Sequence, residues 1–276
     1  MIIDALPENP TLRVLSLGAG VQSTVLALMA SKGETDSIPD CAIFSDTGGE
    51  PDYIYKHLDW LKTQLNFPVH IVQKGNLEKD TLDGYTTSTG SHRYASIPFF
   101  LKDSGINMRQ CTFDYKIQPV QKKIRELLGL KKGQRVPKDV IVETWIGISL
   151  DEIVRAKRSP HSWNKHRWIL LEKEMRRHHC LEWFNKHYPN QKLAKSSCYF
   201  CPFHDDNTWR DMKLNDPKSF NSAVNFDKKL RKRKIKFKNE QYLHRSCKPL
   251  DEVNFDNLED QGQYTFLDEC EGMCGV

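Results

Sequence analysis

No apolar run of the roughly 18 residues needed for a membrane-spanning helix occurs in this 276-residue sequence, so no membrane span is expected. Met1 to Pro10 lacks the basic segment and apolar core of a secretory signal. The expected location is therefore the cytoplasm. No internal repeat is visible. Before Cys111 the chain holds one cysteine, Cys41; the other seven of its eight follow. In a reducing compartment such thiols do not build a disulfide framework. Their skew toward the C-terminal half points to metal or redox chemistry. A strong charge of one sign is missing as well. The 41 basic residues stand against 36 acidic ones, a net charge of +5. That admits an anionic ligand without requiring nucleic acid. Hydrophobic residues are 38% of the chain, low but compatible with a core. The length fits one large domain, or one domain with an appendage.

The chain is organised around Val14-Leu15-Ser16-Leu17-Gly18-Ala19-Gly20-Val21-Gln22-Ser23-Thr24. Leu12 to Leu17 is apolar and reads as a short buried strand. Small residues follow, then Val25, Leu26, Leu28 and Met29 in a helical pattern. Strand, tight turn and helix N-terminus aim backbone N–H groups and a helix dipole at one spot, which suits a phosphate. Ser16, Ser23 and Thr24 add hydroxyl donors. Plain chain reversal is the bland alternative. No Lys-Ser/Thr pair follows the glycines, so this is not a Walker A loop, and the dinucleotide fingerprint lacks its third small residue.

Asp40 to Phe44 reads as a second strand, ending in Ser45-Asp46-Thr47-Gly48-Gly49-Glu50-Pro51. Ile54, Leu58, Leu61 and Leu65 set a helical period over 53–65, and Pro68 to Val72 is a third strand. The β-α-β-α-β order predicts an α/β fold, a parallel twisted sheet with helices on both faces. Ligands of such sheets bind beyond the carboxyl ends of the strands, where both loops would lie. Asp46-Thr47-Gly48 reads equally as an Asx turn. Gly75 to Ser104 is either a mobile flap or an ordered loop over the site. A helix is expected through Leu128 and a fourth strand over 140–148. From Asn164 the chain grows rich in Trp, His, Lys and Cys. A soft boundary near 158 separates a nucleotide-binding domain, 1–158, from a mainly helical, Cys-rich region, 159–276.

Gly18-Ala19-Gly20-Val21-Gln22-Ser23 resembles the PP-loop of the adenine nucleotide α-hydrolase-like superfamily. That group includes ATP pyrophosphatases, tRNA-thiolating enzymes and phosphoadenylyl-sulfate (PAPS) reductases. Their loop is typically Ser-Gly-Gly-x-Asp-Ser; here Gly18 replaces the Ser, Ala19 the first Gly and Gln22 the Asp. Three further segments resemble PAPS reductase-type members. Asp46-Thr47-Gly48 with Glu50-Pro51 is similar to their Asp-Thr-Gly segment. Arg109-x-Cys111-Thr112-x3-Lys116-x2-Pro119 is similar to Cys-x-x-x-Lys-x-x-Pro. Gly147-Ile148-Ser149-x-Asp151-Glu152-x2-Arg155 resembles Gly-x-Arg-x-x-Glu-Ser-x-x-Arg, with Ser149 where Arg is usual. The resemblance covers roughly residues 12–205 and implies a bound adenine nucleotide. The residues carried over for it are Ser16, Gly18, Ala19, Gly20, Gln22, Ser23, Asp46, Thr47, Gly48, Arg109, Gly147, Asp151 and Arg155. Lys116, Arg109 and Arg155 could neutralise phosphate or sulfate, or serve as surface cations. Asp151 could bind Mg²⁺ with ATP phosphates, or cap a helix.

Ser197-Cys198-Tyr199-Phe200-Cys201-Pro202-Phe203-His204 holds a Cys-x2-Cys-Pro turn. With Cys180 and Cys111 it makes a four-thiol set suited to Zn²⁺ or a [4Fe-4S] cluster. The resemblance favours iron–sulfur. The alternative is that Cys180 and Cys111 are buried free thiols. His178, His179 and His204 could substitute as ligands but read as exposed histidines, and Cys41 and Cys247 carry no role. Near the end, Glu269-Cys270 resembles the Glu-Cys-Gly segment of PAPS reductases, with Glu271 intervening and Cys274 additional. Two such thiols could attack a sulfur centre and then resolve as a disulfide, or be incidental thiols of a frayed end.

Lys228 to Lys238 carries eight Lys or Arg in eleven positions. It could follow a polynucleotide backbone or form a solvated helix face. Trp209, Phe220, Phe226 and Tyr242 read as helix core rather than base-stacking groups. Two enzymatic mechanisms follow. In one, Cys270 or Cys274 attacks the sulfur of an adenylyl-sulfate, with a thiol electron donor behind it. In the other, ATP with Mg²⁺ adenylates a base or carbonyl oxygen, pyrophosphate leaves, and a sulfur donor or an amine displaces AMP, with Lys116 at the reacting phosphates. Non-catalytic nucleotide or nucleic-acid binding with a structural metal is the alternative class.

Overall fold

The computed structural model describes residues 6–102, 105–233 and 239–255. β1 (Leu12–Leu17) turns tightly into α1 (Val21–Ser31). β2 (Cys41–Asp46), α2 (Asp52–Gln64), β3 (Val69–Gln73) and α3 (Leu77–Leu82) continue the alternation. Four two-residue strands follow: β4 (Tyr85–Thr86), β5 (His92–Arg93), β6 (Phe100–Leu101) and β7 (Gly105–Ile106). A π-helical turn, Phe113–Ile117, runs into α4 (Gln118–Leu127), whose first turn carries Pro119, where a missing N–H costs nothing. After β8 (Val142–Ile146) come a 3₁₀ segment (Leu150–Arg155), β9 (Asn164–Arg167), α5 (Ile169–Glu172) and α6 (Arg177–His187). α7 (Asp206–Asn215), α8 (Pro217–Lys232) and β10 (Gln241–Tyr242) complete the elements used below.

Five strands form one parallel sheet in the order β3-β2-β1-β8-β9. Successive side chains of its strands point to opposite faces. Leu15 and Leu17 of β1, Ala42 and Phe44 of β2 and Trp145 of β8 meet α1, α2 and α6 on one face. Val14, Cys41, Ile43 and Val142 meet Val120 and Ile124 of α4 on the other. The expected α/β architecture, a parallel sheet covered by helices on both faces, is therefore present. No helix among the described residues is long and apolar enough to cross a membrane.

β9 was not expected from its sequence, and it lies beyond the boundary drawn near 158. Asn-Lys-His-Arg has no apolar alternation, yet Asn164, His166 and Arg167 are buried. Hydrogen bonds make that tolerable. Thr144 Oγ1 donates to Asn164 Oδ1 at 2.7 Å, and His166 Nδ1 lies 2.8 Å from the Lys157 carbonyl. Arg167 meets Asp36, Glu172 and Glu143.

A second core lies outside the sheet. Trp209, Phe220, Phe226, Leu243 and Leu250 pack there with Leu77, Ile97, Phe99 and Tyr115. The segment 75–102 is thus an ordered structure with its own apolar anchors. Arg233 fastens it to α8 by donating to the Thr81 carbonyl and lying over the rings of Tyr94 and Phe99, at 5.9 and 5.4 Å.

Candidate functional site

The strand order reverses between β1 and β8, because the chain runs outward from β1 to β3 and then returns beside β1 as β8. Ligands of open α/β sheets bind in the crevice at such a reversal. The head of α1 lies in it. Gly18 N–H donates to Ser23 Oγ at 3.2 Å, which ties the turn to the helix. Ala19 is fully buried with φ +55°. This left-handed conformation costs an L-residue about 1–2 kcal/mol. Gly147, at the end of β8, presses against the same helix. A β-carbon there would lie 2.8 Å from Ser23 N, so only glycine fits without movement.

Gln22 is 3% exposed and its amide is engaged at both ends. Nε2 donates to Ser149 Oγ and Glu152 Oε2, both at 3.4 Å, and Oε1 accepts from Arg177 Nη1 at 3.3 Å. Asp151 accepts from Ser149 Oγ at 3.3 Å and from the Arg177 backbone N–H, and pairs with Arg176 at 3.7 Å. Arg155 pairs with Glu152. Gly147, Asp151 and Arg155 therefore lie with Gln22 and Ser23 around one crevice. Arg177 was missed from the sequence, where nothing marks it; Glu152 was legible only as part of its motif.

Beyond β2 the loop Asp46–Pro51 holds the cysteine turn. Asp46 Oδ1 accepts from Gly48 N–H at 2.7 Å and from the Tyr55 hydroxyl at 2.8 Å. The first of these makes the Asx turn that the sequence offered as the alternative to a ligand role. Thr47 Oγ1 lies 3.1 Å from Cys198 Sγ, and Gly49 carbonyl accepts from Tyr199 N–H at 2.9 Å. Cys201 N–H returns to the Cys198 carbonyl at 2.9 Å, closing the Cys-x2-Cys turn.

Cys111, Cys198 and Cys201 line one cleft, with Thr47, Arg109 and Lys116. A second, smaller pocket opens at the ends of β1 and β2 beside Ser16, Gly18 and Ser45, and Lys116 lines that one too. Lys116 is 7% exposed, and its Nζ lies 3.7 Å from Oε1 of Glu50, which is 5% exposed. Arg109 stacks over Phe203 at 5.2 Å.

Cys180 does not join the other three cysteines. It is fully buried among Leu15, Val25 and Phe184 on the α1 face of the sheet, and burial pushes its thiol up to about 12. Its place in α6 answers to packing, which a spacing count cannot detect. His204 is buried rather than exposed; burial holds its imidazole down near 3, and Ser197 Oγ lies 3.0 Å from Nε2. His178 and His179 are exposed. Among the described residues no group of three or more His, Cys, Asp or Glu is disposed to hold a metal ion. The three cleft thiols are a donor set suited to a soft metal, but they are not gathered into a ligand cage.

Cys270 and Cys274 lie outside the described residues, as does the end of the basic run, 234–238. Within the rest of that run, Lys228 pairs with Asp251 at 2.7 Å, Arg231 pairs with Asp227, and Arg233 anchors the 75–102 segment. Lys229 and Lys232 are exposed. Trp209, Phe220, Phe226 and Tyr242 are all buried.

No protein-family profile matches the chain, and no curated protein matches it. Solved structures do. A phosphoadenylyl-sulfate (PAPS) reductase from Candida auris, in complex with phosphate, is similar over 69% of this chain and 82% of its own, with 14% identity and a TM-score of 0.38. A U34-tRNA thiolase from Methanococcus maripaludis with its [4Fe-4S] cluster is similar over 80% of this chain and 72% of its own, with 16% identity and a TM-score of 0.38.

Proposed function

We propose that this chain is an enzyme of the PAPS reductase type within the PP-loop superfamily, binding an adenine nucleotide and carrying out sulfur-related or α-phosphate chemistry. One observation carries this: Lys116 lines both the pocket at the strand ends and the cleft with three cysteines. A nucleotide at the first would place its phosphates beside the same cation that faces the thiols.

In this reading the phosphates lie against the head of α1, where the backbone of Gly18, Ala19 and Gly20 and the hydroxyls of Ser16 and Ser23 meet them. Asp46, Thr47 and Gly48 bound the nucleotide along β2. Gln22 does not hold a metal, because its amide is spent on Ser149, Glu152 and Arg177. Asp151 would take Mg²⁺ at Oδ1 in place of Arg176 when ATP is the ligand, its Oδ2 staying with Ser149 and the Arg177 N–H. Cys111, Cys198 and Cys201 would hold an iron–sulfur cluster or zinc, and an iron–sulfur cluster there would supply electrons or bound sulfur. Lys116 stabilises negative charge on the reacting phosphate or sulfate.

The sulfur step has two routes. A Cys270 thiolate attacks the sulfate sulfur of an adenylyl-sulfate and expels the nucleotide. Cys274 then attacks the Cys270 sulfur, releasing sulfite and leaving a disulfide for an external thiol donor to reduce. Alternatively ATP adenylates an oxygen of a polynucleotide base, pyrophosphate leaves, and a sulfur nucleophile displaces AMP. The exposed Lys229 and Lys232 favour a polynucleotide for that route.

Labelled nucleotides test both. Sulfite release from PAPS with thioredoxin supports the first route, and AMP and pyrophosphate formation from ATP and Mg²⁺ with RNA or DNA supports the second. Absence of both turnover and binding with either nucleotide would sink the proposal. Tight binding without turnover would favour the non-catalytic module, consistent with the amide that replaces the loop carboxylate at Gln22.

A further inference from the structure

Glu50 joins the two halves of the site. Its Oε1 faces Lys116 Nζ at 3.7 Å, and its Oε2 accepts from Ser196 Oγ at 3.2 Å. Ser196 precedes Cys198 by two residues, so one buried carboxylate holds both the cation of the strand-end pocket and the root of the cysteine turn. Its neighbours Thr47 and Gly49 also grip that turn, through Cys198 Sγ and the Tyr199 N–H. A buried carboxylate left without its cation is costly, so the pair responds as a unit. An anion entering the strand-end pocket competes with Glu50 for Lys116. Any displacement of Glu50 is passed to Ser196.

We propose that Glu50 is a positioning residue that couples occupancy of the strand-end pocket to the placement of the Cys198–Cys201 turn. Nucleotide binding then changes the reactivity of the cleft thiols. The coupling rests on the reading that this pocket takes the nucleotide. At equilibrium the linkage is reciprocal: a turn held in the nucleotide-bound placement raises nucleotide affinity.

The test uses the reduced full-length chain, freed of any thiol-bound metal by chelation and desalting, with ATP and Mg²⁺ as the probe. Calorimetry measures ATP binding, and mass spectrometry follows iodoacetamide alkylation at Cys111, Cys198 and Cys201 with and without ATP. In the wild type, ATP changes the Cys198 rate by about fivefold or more, a size set by analogy with the lower range of affinity couplings. Ser196→Ala keeps Lys116 paired, binds ATP within about twofold of wild type and loses the rate change. Glu50→Gln loses it too, provided that its fold is intact by thermal melting. A Ser196→Ala protein that keeps the full ATP effect overturns the role of Glu50. Wild-type thiols indifferent to bound ATP overturn the coupling and leave the nucleotide site standing. Absence of ATP binding to the wild type overturns both.

Discussion

Gly49 lies directly against the ring of Phe200: a β-carbon on Gly49 would lie 2.5 Å from Phe200 Cε1. Phe200 is the middle of the Cys-x2-Cys turn and stacks on Phe226 of α8, with ring centroids 4.6 Å apart. The loop after β2 and the cysteine turn thus meet backbone to ring. Gly49→Ala is expected to force the ring aside and to lower stability by about 1–3 kcal/mol, the usual range for overpacking. A urea midpoint equal to that of the wild type would contradict the contact.

The cysteines divide into two groups by location. On the proposed reading, protein purified without oxygen carries iron or zinc, loses it on Cys111→Ser, Cys198→Ser or Cys201→Ser, and keeps it on Cys180→Ala; wild-type protein free of both metals would overturn the metal reading. Cys180→Ala should lose only stability, on the order of 1 kcal/mol for a small buried side chain. Metal analysis with an absorption spectrum decides. Metal that leaves with Cys180 would restore the four-thiol site expected from spacing.

Lys116→Met is expected to weaken ATP or PAPS binding by about tenfold or more, the worth of one charge-assisted contact. It also takes from Glu50 the cation 3.7 Å from its Oε1, which is expected to lower stability. Glu50→Gln on the Lys116→Met background should recover part of the stability and none of the affinity. Titration calorimetry and denaturant midpoints on the single and double variants separate the two effects.

Acid should weaken the fold through His57. Burial between α1 and α2 lowers its imidazole to about 4, and Thr24 Oγ1 lies 3.1 Å from Nε2. The unfolded chain protonates near 6.5, above the folded value. Stability is therefore complete above about 6.5 and falls as pH drops toward 4, by up to about 3 kcal/mol from this group. His204 acts in the same sense. The wild-type urea midpoint should decline across that window, and the His57→Gln midpoint should decline less steeply. Parallel declines would exclude His57 as a source.

The strain at Ala19 gives a further variant. Ala19→Gly relieves the left-handed backbone and should be neutral or stabilising by about 1 kcal/mol, although glycine adds freedom to the unfolded chain. The same change at Ala27, inside α1, should cost about 1 kcal/mol or more. Thermal melting of the two variants makes the comparison.

The central sheet was legible because its strands are apolar runs separated by helical periods. Cys41–Asp46, Val69–Gln73 and Val142–Ile146 each fall close to the expected spans. β9 was not legible, because polar residues that find partners carry no hydrophobic signal. The crevice was legible at Gly18–Ser23 and Gly147–Arg155, where short motifs mark it. Arg177 was not, since it enters from a helix whose sequence shows only its own packing. Three of the four chosen cysteines share a cleft; the fourth satisfies the spacing and packs elsewhere. The basic run read as one feature, yet Arg231 and Arg233 are spent on holding the fold.

β1 sits at the middle of the sheet and takes one neighbour from nearby sequence and the other from far away: Leu12 pairs with Val142. During synthesis the first strand must wait, with one edge bare, until the chain has grown past β8. Pairings this distant form slowly, and an open apolar edge invites other chains. Shortened products ending before residue 142 should therefore aggregate. Gly147 arrives later still, so the crevice is complete only after the central ladder closes, and any ligand of that crevice can protect the finished protein but cannot guide its early assembly.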